Sequence, residues 1–94
     1  MKLRYSPRSL RDLEKIRAFI TKESGSRDVA DRFLNSLLDE CEFLVVLPER
    51  YPTYRPGSPW RMMPFGNYLI FFQRHGDELR IGHVRHAARR PFRG

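Results

Sequence analysis

The last part of the chain carries a run of cations. From Arg80 onward stand His83, Arg85, His86, Arg89, Arg90 and Arg93, with no acid among them. Guanidinium groups hold phosphates or carboxylates through paired N–H donors, and imidazoles add proton transfer or metal ligation. The two histidines make a poor pair for one site. Three residues apart on a strand, they point to opposite faces, and no carboxylate or thiolate cluster lies beside them in sequence. No metal and no cofactor is expected, and His86 reads as a buried or half-buried histidine bonding backbone near the strand end. Arg85, Arg89 and Arg90, joined by Arg61 if its strand lies nearby, form a candidate cluster for binding an anionic partner. A solvated basic edge that deters strand-to-strand aggregation accounts for the same residues.

The elements that must position these groups are legible in the pattern. Tyr68 to Gln73 contains the unbroken apolar run YLIFF, which predicts a central strand buried on both faces, entered through Gly66-Asn67 and left through His75-Gly76-Asp77. Its partner spans Glu78 to His86. Strict alternation there predicts Arg80, Gly82, Val84 and His86 on one face and Leu79, Ile81, His83 and Arg85 on the other. Trp60 to Phe65 is a further strand, placed at a sheet edge by Pro64. Four prolines between Pro48 and Pro59 exclude regular structure from that connection, leaving a surface loop that is either ordered or flexible.

Upstream, Leu3 and Tyr5 alternate with polar residues as in a short strand. Ser6-Pro7 then starts a helix running to about Glu23, with Leu10, Leu13, Ile16 and Ile20 as its apolar stripe and Phe19 and Ala18 widening it. After Ser24-Gly25-Ser26, a second helix capped by Ser26 or Asp28 presents Val29, Ala30, Phe33, Leu34, Leu37, Leu38, Cys41, Leu44 and Val45. Taken from Arg27 to Leu47, it would be on the order of 30 Å long. The acids Asp12, Glu14, Asp31, Asp39, Glu40 and Glu42 all fall on these helices, where pairing with surface Arg and Lys explains them. The order β-α-α-β-β-β predicts an α+β fold in which a helical hairpin packs on a small, mainly antiparallel sheet.

Ninety-four residues, read as a single domain 1–94, allow one thin core. A net charge of +7 favours an anionic partner without choosing among nucleic acid, acidic protein and nucleoprotein. The lone Cys41 excludes an internal disulfide and sits on the apolar helix stripe, where packing is its expected role. No leader or long apolar span opens the chain, so a cytoplasmic protein without membrane contact is expected.

The element order, with Arg61, Pro64, Phe65, Gly66, Asn67, Tyr68, Ile70 and Phe72 followed by Ile81, Val84, His86 and Arg89, resembles the ParE branch of the RelE/ParE toxin superfamily. Asp12-Leu13, Ala30-Asp31-Arg32-Phe33 and Pro48-Glu49 extend the resemblance over nearly the whole chain. It implies the toxin of a type II toxin-antitoxin module. Family members often carry arginine where His83 stands and an acid where Arg90 stands.

Within the superfamily, ParE-like proteins inhibit DNA gyrase and RelE-like proteins cut messenger RNA on the ribosome. The nuclease branch carries an arginine where this chain has Leu69, and a tyrosine past the last matching arginine, whereas no tyrosine follows Arg89 here. The resemblance therefore implies a non-enzymatic toxin acting on gyrase. The alternatives are an endoribonuclease using Arg61, His83, His86 and Arg89, and a degenerate, non-toxic binding module. The implied partner is a ParD-like antitoxin, with a ribbon-helix-helix DNA-binding part and an acidic segment folding across the helical hairpin; operator DNA would be met only through it. Phe19, Leu34, Leu38 and Val45 are its candidate contacts, although core packing explains each of them as well.

Overall fold

The computed structural model of the protein describes residues 1–88. Six main elements follow one another: β1 (Lys2–Tyr5), α1 (Pro7–Ser24), α2 (Arg27–Leu44), β2 (Arg61–Phe65), β3 (Tyr68–His75) and β4 (Glu78–His86). The strands form one sheet in the order β1-β4-β3-β2, parallel between β1 and β4 and antiparallel elsewhere. The α1-α2 hairpin covers one face. Leu13 and Ile16 of α1 and Leu37, Cys41 and Leu44 of α2 meet Met63, Tyr68, Ile70, Phe72, Leu79, Ile81 and Val84 in a single core.

Both helices start at the expected serines. Ser6 Oγ accepts from the Ser9 amide and Ser26 Oγ from the Val29 amide, each satisfying an orphan N–H of the first turn. Gly25, at φ 71°, ends α1 in the left-handed region that glycine adopts without strain. The inward stripe of α1 begins at Ser9 rather than at Leu10. Ser9 is fully buried because its hydroxyl bonds the Ser6 carbonyl (2.8 Å), whereas Leu10 is 50% exposed. The second helix stops at Leu44, not Leu47. The Val45 and Val46 amides bond back only three residues, to Glu42 and Phe43, and the buried Pro48 opens a short 3₁₀ turn to Arg50.

The proline-rich connection is ordered by its aromatics. Tyr51 meets Phe72 edge-on at 6.3 Å and Tyr54 meets Phe71 at 5.3 Å, so the loop grips both faces of the sheet. It also covers the β2 edge through the Thr53–Arg61 bridge and the Met62 amide bond to Pro52 O (3.2 Å).

Strand β4 does not alternate strictly. Phe71 pairs with His83 and Phe72 with Ile81, so Gly82 is an extra residue. This bulge returns Val84 and His86 to the helix-covered face that Leu79 and Ile81 occupy, and turns His83 and Arg85 to the other face beside Phe71. A Cβ on Gly82 would lie 2.2 Å from the Trp60 ring, so the indole rests directly on the bulge.

Candidate functional site

Strand β1 pairs β4 only from Glu78 to Ile81, which leaves the distal half of β4 without a strand on that side. Side chains of α1 take over. Ser6 donates its amide to Ile81 O and its hydroxyl to Gly82 O, both at 2.9 Å. Two turns on, Asp12 Oδ2 accepts the Val84 amide at 3.0 Å and faces His83 Nδ1 at 2.6 Å. One carboxylate thus closes the sheet edge and holds the imidazole.

The other ring nitrogen of His83, Nε2, lies 3.4 Å from Arg8 Nη2. A guanidinium only donates, so Nε2 accepts and the proton sits on Nδ1, donated to Asp12. His83 is 8% exposed. Burial pushes its pKa below the usual histidine value, and Arg8 and Arg85 act in the same direction, against the opposing pull of Asp12. The neutral imidazole stacks on Phe71 at 5.8 Å.

Around this pair α1 and the end of β4 enclose a cavity of about 200 Å³, with Ile16, Phe19 and Tyr68 as apolar wall and Asp12, Lys15, His83, Arg85 and His86 as polar lining. His86 is half-buried and accepts the Ala88 amide at 3.2 Å on Nδ1, the backbone role expected of it; its ring meets Tyr68 edge-on at 5.4 Å. The cavity therefore receives both histidines, although they start from opposite faces of the sheet. Arg85 lies with Cζ 5.5 Å from the Phe71 ring centre and donates to His86 O at 3.1 Å.

Arg61 does not join Arg85. It pairs with Phe72, on the helix-facing side, and donates to Tyr51 O (2.6 Å) and Glu49 O (3.3 Å), whereas Arg85 pairs with Leu69 on the opposite face. In the described structure Arg61 is a clamp for the loop. Arg89 and Arg90 lie outside the described residues. Of the hairpin positions, Phe19 is 45% exposed at the cavity mouth, while Leu34, Leu38 and Val45 pack against the core.

Asp12 was assigned from sequence to helix-surface pairing, and the structure corrects that. The available signal was its position: three residues after Ser9 and four before Ile16, it falls within the period of the buried stripe. Cys41 packs as expected, and burial pushes its thiol up to about 12. Among the described residues no three His, Cys, Asp or Glu side chains gather as metal ligands, and no helix is long and apolar enough to cross a membrane.

The arrangement of helical hairpin and four-stranded sheet recurs in a solved structure. The fold superposes on a chain of the chromosomal ParDE toxin-antitoxin system from P. aeruginosa with a TM-score of 0.81, covering 92% of this chain and 95% of that one at 15% identity. No curated protein matches the chain in sequence. The family model described as ParE toxin of type II toxin-antitoxin system, parDE, matches residues 3–91, and the chain belongs to that family.

Proposed function

We propose that this ParE-family toxin arrests growth by binding DNA gyrase, without chemistry of its own, and that a cognate ParD-like antitoxin neutralises it in the cytoplasm. The observation that carries the non-enzymatic reading is the state of His83. It is the imidazole best placed for acid–base work, yet it is buried, with Nδ1 on Asp12 and Nε2 within reach of Arg8. A general base must reach the proton that it removes. Here both nitrogens serve the junction between α1 and β4. The basic end of β4 is left to bind, through Arg85 and, beyond the described residues, Arg89 and Arg90. Binding there is electrostatic in its first step, so the complex weakens as salt is raised.

The antitoxin follows from the family and from charge. A chain of net charge +7 attracts an acidic amphipathic segment, and Phe19 offers it an apolar anchor beside Lys15 at the cavity mouth.

A supercoiling assay with purified toxin and gyrase tests the reading. Inhibition near stoichiometric toxin, relieved by the antitoxin and weakened in Arg85→Ala, is the expected outcome. Undisturbed supercoiling at a large excess of toxin would remove the gyrase claim. Codon-positioned cuts in messenger RNA on translating ribosomes would move the protein to the nuclease alternative.

A further inference from the structure

The solvent side of α2 carries a pattern that the hairpin does not use. Val29, Arg32, Ser36, Asp39 and Phe43 succeed one another at steps of three or four residues, and all five are exposed, Phe43 at 59%. Scattered exposed apolar residues need no explanation. These are not scattered. Val29 and Phe43 stand seven residues either side of Ser36, which is the heptad spacing by which helices pair. The buried stripe of the same helix, with Leu37, Cys41 and Leu44, points the other way into the core.

We propose that this face docks a second copy of the same chain, with the two α2 helices antiparallel and crossing at Ser36. A two-fold axis there sets each position against its mirror, so Val29 of each copy meets Phe43 of the other. The small Ser36 side chains at the crossing let the backbones approach. Arg32 of each copy falls opposite position 40 of the other, within reach of Asp39 and Glu40, so the axis makes two sets of opposite charges. An acidic peptide laid on the same face would meet Asp39 as a like charge. Self-complementarity in sign, about a small residue at the crossing, is what selects a second copy over that occupant.

The contact is small. Eighteen residues of helix are about 27 Å long, and a strip about 10 Å wide covers roughly 300 Å² per copy, well below the roughly 800 Å² per partner of a standard interface. The dimer is therefore a weak one, seen at tens to hundreds of micromolar.

Sedimentation equilibrium of the purified full chain, from about 10 to about 500 µM, tests it. A monomer–dimer equilibrium is expected in that range. Phe43→Glu should abolish it, and Arg32→Asp, which sets an acid against Asp39 and Glu40, should weaken it by about tenfold or more, while the full exchange Arg32→Asp with Asp39→Arg and Glu40→Arg restores it to within about threefold. Circular dichroism of each variant separates loss of pairing from loss of fold. A wild-type chain that stays monomeric throughout, a dimer indifferent to these substitutions, or a full exchange that fails to restore pairing would each overturn the proposal. So would a monomer whose antitoxin complex is lost with Phe43→Glu, since the face would then belong to the antitoxin.

Discussion

Replacing Asp12 by alanine tests how the distal half of β4 is held. The carboxylate oxygen that the substitution removes accepts from two donors, the Val84 amide at 3.0 Å and His83 Nδ1 at 2.6 Å, and both residues are buried. An amide left unpaired in such a place costs about 1–3 kcal/mol, and a hydrogen bond to a charged acceptor contributes about 1.5–3 kcal/mol. The two losses share one site and do not add fully, so the expected destabilisation is about 3 kcal/mol. For a domain of this size that lowers Tm by on the order of 15 °C. Asp12→Asn keeps an oxygen in the same position and loses only the charge, so about 1 kcal/mol is expected. Urea unfolding followed by circular dichroism near neutral pH reads both values, with an unchanged slope as the check that the unfolded state is the same. A loss below about 1 kcal/mol for Asp12→Ala would refute the edge-closing role. Equal losses for the two variants would show that charge, not the shared oxygen, does the holding.

Two further outcomes follow from the same junction. The folded-state pKa of His83 is lowered, so its neutral form contributes stability above the unfolded value of 6.5, and that contribution is lost as pH falls through the lower folded value. Stability should thus decline from pH 6.5 downward before the carboxylates titrate, and His83→Asn should flatten that part of the profile; a wild-type curve level across this window would contradict it. Gly82→Ala places a methyl group 2.2 Å from the Trp60 ring and must displace the indole, at about 1–3 kcal/mol, with a changed tryptophan emission spectrum. Unchanged emission and stability would mean that the ring does not rest on the bulge in solution.

The sequence is legible where one period rules an element. YLIFF read as an interior strand because both of its faces are buried, and Pro64 marked an edge because a proline cannot donate to a second neighbour. The serine caps were visible for the same local reason. Strand β4 misled because alternation assumes one residue per partner, and Gly82 breaks that rule without a sequence signal of its own apart from being glycine. What demands a glycine there lies far away in sequence, in the Trp60 ring that a Cβ would meet. Asp12 and Arg61 were misplaced for a related reason. Each is a charged side chain whose partners are backbone groups of another element: Val84 for Asp12, and Glu49 and Tyr51 for Arg61. Composition reads such residues as solvated, because nothing local records a carbonyl or an amide left over by distant topology.

The way the sheet's borders are finished limits how a partner can meet them. On one side the proline-rich loop bonds along β2, and Pro64 has no N–H to offer a strand. On the other, Ser6 takes the Gly82 carbonyl and Asp12 the Val84 amide, just beyond the reach of β1. The outer edge of β1 remains, four residues long and bearing Lys2 and Arg4, a short and charged border of the kind that discourages strand addition. Side chains thus interrupt backbone pairing toward the basic end of β4, and a macromolecule arriving there meets them first. Guanidinium groups suit that task, since the planar fork that stacks on Phe71 at Arg85 is also the shape that carboxylates and phosphates match. If so, Arg85→Lys, which keeps the charge but loses the planar stacked fork, should weaken toxin action nearly as much as Arg85→Ala in the supercoiling assay. A lysine variant as potent as the wild type would reduce the contribution of this position to net charge alone.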